Sequence, residues 1–202
     1  MSVIINECNQ LMSVIICPGV HPPELTDHFL NSLQSLPPNR LVFPADRYPA
    51  FSAWDIFRFL QTRLGEPAQQ PLMFLGFSAG VVGAVGAATL WHRLGGSVKA
   101  LVACDGWGVP LCDRYPIYRI SHDSFTHWSS SLLGAGKKSF YADPPVAHLE
   151  LWRSPDRVQG WWIDSAIDQA ISGQPNQNWM KTTASQFLNH LLAQYDEIAS
   201  EI

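Results

Sequence analysis

Short apolar runs alternate along this chain with segments whose apolar residues recur every three or four positions. Ser13 to Cys17 is a β-branched run that breaks at Pro18-Gly19, as a strand does where it meets a turn. Leu25, Phe29, Leu33 and Leu36 then recur at helical spacing within Pro22 to Leu36, and Pro37-Pro38 ends that helix. Leu41 to Phe43 predicts a second short strand, closed by Pro44. Ile56, Phe57, Leu60 and Leu64 make one helical stripe, with Ser52 as its N-cap and Gly65 as its stop. Leu72 to Leu75 is a buried strand, and the small apolar run from Val81 to Leu90 is a helix that ends at Gly95-Gly96. Three more strands follow at Val98 to Ala103, Ile117 to Ile120 and Ser139 to Ala142, with a short helix from Phe125 to Leu133. Trp179, Thr183, Phe187, Leu191 and Tyr195 stand four residues apart, which predicts an amphipathic closing helix over Asn178 to Ile198.

Strands alternating with helices predict an α/β fold. The expected form is a three-layer α/β/α sandwich with a mainly parallel sheet and right-handed crossovers. In such sheets, sites form beyond the carboxyl ends of the strands. That edge collects Pro18-Gly19-Val20-His21, Ser78, Cys104-Asp105, His122-Asp123 and His148. No linker or low-complexity tract interrupts the alternation, so one domain over residues 13–202 is expected. The opening holds a repeat: Met1-Ser2-Val3-Ile4-Ile5 recurs as Met12-Ser13-Val14-Ile15-Ile16. Residues 1–12 are then either an extra strand or a leader before a start at Met12. The second is favoured, because the alternation begins at Ser13.

Composition narrows the class. Of the 202 residues, 47% are hydrophobic and 15% are charged, which argues for a deep core and against disorder. The net charge of −4, without a Lys/Arg cluster, speaks against a nucleic-acid or anionic-membrane partner. No apolar stretch approaches the roughly 20 residues of a membrane span. The four cysteines, Cys8, Cys17, Cys104 and Cys112, form no C-x-x-C pair, and no secretory signal accompanies them. A soluble protein of a reducing, cytoplasmic compartment is expected. His122, Asp123 and His127 are close in sequence, but nothing at a usual ligand spacing completes a metal set. No phosphate loop appears either; Gly83 and Gly86 read as close-packing positions inside a helix. Neither a metal nor a cofactor is expected.

The chemistry concentrates at Gly76-Phe77-Ser78-Ala79-Gly80, between the Leu72–Leu75 strand and the helix after it. This is a G-x-S-x-G pattern in the strand–turn–helix context that a nucleophile elbow requires. A strand that reverses into a helix within a few residues holds the serine in a strained conformation, and Gly76 and Gly80 keep the space around it empty. The strand–GFSAG–helix unit within this alternation resembles the α/β-hydrolase superfamily, in its small form without a large lid domain. The resemblance covers residues from about Ser13 onward; the elbow is its specific part, and the rest matches by order and position.

The resemblance implies a serine nucleophile, then an acid, then a histidine in chain order. Ser78 is the nucleophile. His122, His127 and His148 follow it in suitable loops, and His148, after the last expected strand, is the chosen base. Asp123 is ranked ahead of Asp105 as the acid, because the chain between Asp123 and His148 has room for a short helix and one strand. Asp105, directly after the Val98–Ala103 strand, is the rival. The oxyanion donors implied are the backbone N–H groups of Ala79 and Val20, although this chain has Pro18-Gly19 where the superfamily commonly has His-Gly. Eight tryptophans are present, and Trp107, Trp128, Trp152, Trp161 and Trp162 lie near the expected active edge. They read as an apolar substrate pocket or as packing, with Trp161-Trp162 as a candidate start of an extra helix. The expected activity is cleavage of a small-molecule carboxylic ester or thioester through an acyl-enzyme. The alternatives are an inactive relative that binds an apolar ligand or a protein partner, and a peptidase or amidase on the same residues.

Overall fold

The computed structural model describes residues 12–67, 70–111, 115–134, 136–164 and 179–200, with side chains through residue 195. The chain begins with β1 (Ser13–Cys17), α1 (Pro23–Asn31), β2 (Arg40–Val42), α2 (Ala53–Leu64) and β3 (Pro71–Phe77). It continues through α3 (Ala79–Arg93), β4 (Ser97–Cys104), β5 (Ile117–Ser121), α4 (Ser124–Ser131) and β6 (Lys138–Ala142). It closes with α5 (His148–Arg153), β7 (Gln159–Asp164), β8 (Trp179–Thr183) and α6 (Ala184–Ser200). The strands form one sheet of eight in the order β2-β1-β3-β4-β5-β6-β7-β8. Pairing is parallel from β2 through β6 and antiparallel at β6–β7 and β7–β8.

Helices cover both faces, which is why every residue of β1 and β5 is buried. Ile15 and Cys17 pack with Ile56, Phe57 and Leu60 of α2 and with Val81, Ala84 and Trp91 of α3. Val14 and Ile16 share the opposite core with Leu25 and Phe29 of α1, Trp152 of α5 and Phe187 and Leu191 of α6. Small residues let α3 lie close to α2: a Cβ on Gly83 would stand 2.5 Å from the Ala50 carbonyl oxygen, and one on Gly86 2.4 Å from Ala53 Cβ. Cys17 and Cys104 are free, buried thiols whose pKa burial pushes up, so neither is poised to react. Among the described residues no helix is long and apolar enough to cross a membrane.

Several boundaries differ from those the sequence predicts. The first helix ends at Asn31, short of Leu36. Trp161 and Trp162 lie on strand β7, so no extra helix starts there. Trp179 and Thr183 belong to β8, and the closing helix begins only at Ala184. A four-residue spacing is an even number, so it places both side chains on one face of a strand as readily as on one face of a helix. Two antiparallel strands therefore follow β6, which is not the last strand. The segment up to Leu11, with the first copy of the repeat and Cys8, lies outside the described residues, as does Cys112.

Candidate functional site

The chain leaves β1 toward β2 on one side and later returns to β3 on the other, so the carboxyl ends of β1 and β3 flank a crevice. Ser78 sits there, between β3 and α3, with φ 53 and ψ −124. That left-handed conformation is rare for a residue with a Cβ and costs about 1–2 kcal/mol. Its neighbours hold it in place: Ser78 N–H donates to the Cys104 carbonyl at 2.9 Å, and Val81 N–H donates to the Ser78 carbonyl at 3.0 Å. Although Ser78 is the N-cap of α3, its hydroxyl makes no capping bond. It is a strained serine at a helix start whose hydroxyl is not spent on the cap.

The flanking glycines are required by close approach to backbone. A Cβ on Gly80 would lie 2.1 Å from the Cys17 carbonyl oxygen and 2.5 Å from that of Pro18. A Cβ on Gly76 would lie 2.9 Å from Val81 Cα. The obstruction is thus the end of β1 and the first turn of α3. The loop after β1 also runs against the serine, since a Cβ on Gly19 would lie 3.0 Å from Ser78 Cβ. Val20 follows that approach by one residue with its side chain turned to solvent. Ala79 opens α3, where backbone N–H groups are unspent, and lines the same pocket as Ser78.

That pocket has a volume of about 510 Å³, within the range of small-molecule sites. His148 and His122 line it together with Ser78. His148 is the first residue of α5, and Val146 N–H donates to the His122 carbonyl at 3.0 Å, which ties this segment to the end of β5. The imidazole stacks on Phe77 at 4.7 Å between centroids, Phe77 stacks on Trp152 at 4.8 Å, and Trp152 stacks on Phe29 at 3.7 Å. This aromatic column carries the histidine on the core.

The carboxylate that meets His148 is Asp105. Its Oδ2 lies 2.8 Å from His148 Nδ1 and 2.8 Å from His122 Nδ1, and its Oδ1 accepts the His122 backbone N–H at 2.9 Å. Asp105 is buried and, like Ser78, has a positive φ, 51. Burial raises its carboxyl pKa, but the hydrogen bonds from His122 and His148 and the charge of His122 outweigh burial, and the net shift is downward. His122 moves the other way: its bond to Asp105 raises its pKa against the opposing effect of burial, with help from the charges of Asp105 and Asp123.

Asp123, ranked first from the sequence, is engaged elsewhere. It is the N-cap of α4, and its Oδ1 accepts the Thr126 backbone N–H at 2.6 Å. Its Oδ2 lies 3.4 Å from His122 Nε2. Of the two aspartates, Asp105 is the one in hydrogen-bond contact with the His148 ring. A strand-end aspartate followed by a serine and a helical run fits an N-cap as well as an acid, and the N-cap role is what the fold uses. His127 is buried in α4 between Trp128 and Tyr141 and does not line the pocket. His122 is the residue whose part the sequence leaves unread, because only the fold brings its ring to Asp105.

Of the tryptophans, Trp107 lines the pocket, with its indole N–H on Ser129 Oγ at 3.1 Å. Trp152 is core, and Trp161 and Trp162 pack along β7. Val82, Val109 and Phe125 complete an apolar lining. No protein-family model matches the chain. A search of curated proteins likewise finds no match.

Proposed function

We propose that this protein is a serine hydrolase of the α/β-hydrolase type that cleaves uncharged carboxylic esters through an acyl-enzyme. One observation carries the reading: a strained, uncapped Ser78 shares a pocket with His148, whose Nδ1 is held by buried Asp105. With Nδ1–H given to an ionised Asp105, Nε2 of His148 keeps its lone pair as a proton acceptor. Ser78 Oγ passes its proton to that nitrogen as it attacks the ester carbonyl carbon. The N–H of Ala79 and an N–H of the Gly19-Val20 loop steady the oxyanion. His148 then protonates the departing alcohol, and water repeats the sequence to release the acid. The arrangement of strand, elbow and helix in a mostly parallel sheet supports the superfamily assignment.

The lining favours an apolar substrate. Ala79, Val82, Trp107, Val109 and Phe125 offer hydrocarbon and ring surface, and no Lys or Arg is among the described lining residues. Among the described lining residues only the imidazoles of His122 and His148 could face the charge of a phosphate-bearing thioester. Hydrolysis of p-nitrophenyl acetate and labelling by a fluorophosphonate test the reading. Turnover that disappears in Ser78→Ala, with the label on Ser78, is the expected result. Turnover equal to that of Ser78→Ala, with Ser78 unlabelled, overturns it.

A further inference from the structure

The geometry points to a second property of the same cluster: Asp105, His122 and His148 form a site for a divalent transition-metal ion, Zn2+ by its donor set, whose binding switches off the serine. This rests on the reading of Ser78 and His148 as nucleophile and base. The ligand atoms, one carboxylate oxygen and two imidazole nitrogens, all lie within 4.8 Å of one another. Two imidazoles and a carboxylate, with a fourth position left to water, are a common zinc set. The rings stand nearly perpendicular, at 79° with centroids 5.8 Å apart, so their Nδ1 atoms converge on Asp105 Oδ2 from different directions. Tetrahedral bonds of about 2.0–2.1 Å would separate the ligand atoms by about 3.3 Å. The two 2.8 Å contacts to Asp105 Oδ2 would widen to that spacing, and the two Nδ1 atoms, within 4.8 Å of each other, would settle to it as the ion enters.

A second, independent feature belongs to metal-bound histidines. Such a ring gives its other N–H to a carboxylate, which fixes the tautomer that presents a lone pair to the ion. His122 Nε2 faces Asp123 Oδ2 at 3.4 Å, and Asp123 Oδ1 is spent on the α4 cap. The ligating carboxylate is held as well, since Asp105 Oδ1 accepts the His122 backbone N–H. Access is open: the side chains of His122 and His148 are 24% and 40% exposed, and both line the pocket.

The ion takes the place of the Nδ1 protons, which leave to solvent. Once Nδ1 of His148 is coordinated, its remaining proton sits on Nε2, and the ring no longer accepts a proton from Ser78. Inhibition follows from loss of the base, without any block of the pocket mouth.

The test uses the full chain, treated with a chelator and then desalted. Titration with Co2+, read by its visible absorption, and with Zn2+, read by calorimetry, should show one bound equivalent. His122→Gln and, separately, Asp105→Asn should each weaken binding by about tenfold or more, with folding of each variant checked by circular dichroism. Fluorophosphonate labelling of Ser78 should slow at least about tenfold with saturating Zn2+ and recover when chelator is added. Absence of binding, or binding that both variants leave unchanged, overturns the metal site. Binding at the site without slower labelling overturns the switch. If metal-free protein is not labelled at all, the hydrolase reading and the switch both fall, while the Co2+ spectrum still decides the site.

Discussion

In the proposed mechanism Asp105 carries the larger chemical consequence of the two acids near His122. Asp105→Asn keeps the side chain's shape but presents an amide to donors that now meet a carboxylate. His148 loses the partner that fixes its tautomer, and kcat on p-nitrophenyl acetate should fall on the order of 10³–10⁴-fold. Asp123→Ala leaves that partner in place and removes an N-cap, so it should cost about 1 kcal/mol in a urea titration. Its kcat should stay within about tenfold of the parent, since it touches the site only through His122 Nε2. The opposite ranking of the two variants would remove Asp105 from the relay. That Ser78 and His148 share a pocket could be anticipated from the sequence, because an elbow and a histidine after a strand leave marks in the order of residue types. The choice between Asp123 and its rival Asp105 could not, because nothing local reports that Asp105 at φ 51 turns its carboxylate to the end of β5.

At the level of elements, the elbow depends on how closely α3 approaches β1. Gly80→Ala would drive a Cβ to 2.1 Å from the Cys17 carbonyl oxygen, and backbone cannot swing aside as a side chain can. The expected cost is about 3 kcal/mol or more, with loss of Ser78 labelling, because either β1 or the first turn of α3 must shift. Gly95 is the control: its φ is +89 but a Cβ there meets nothing within 4 Å. Gly95→Ala should cost about 1 kcal/mol, from backbone conformation alone, and leave labelling intact. Denaturation midpoints and label incorporation separate the two cases. Elements with strong periodicity and real caps were readable, as α2 shows: Ser52 accepts the Asp55 N–H and Gly65 follows the last turn. The β7–β8 pair was not, because Trp161, Trp162 and Trp179 owe their strand to pairing across the ladder, with Lys181, Met180 and Ile163, rather than to local pattern.

For the whole molecule, acid stability turns on His127, which lies outside the proposed chemistry. Burial, aided by the nearby charge of Arg119, lowers its pKa from 6.5 to about 4. Its Nδ1 is buried with no hydrogen-bond partner among the described residues, so the ring is housed as a neutral, stacked aromatic. The unfolded chain then binds a proton at higher pH than the folded one. Stability from this residue is complete above about pH 6.5 and is lost as pH falls through about 4, some 3 kcal/mol in total. His122 changes on the other side of that window, because its raised pKa gives stability that is present below about 6.5 and lost as pH rises. Asp105, with its lowered pKa, changes only below the ordinary carboxyl range. Between pH 6.5 and 4 the slope of unfolding free energy should therefore report His127. His127→Phe keeps a ring between Trp128 and Tyr141 and removes the titration. Urea titrations at stepped pH should show its slope flattened over that interval and its stability above the parent's near pH 4. An unchanged slope would mean that the folded protein accepts the charged ring, and that the packing around α4 is looser than its burial implies.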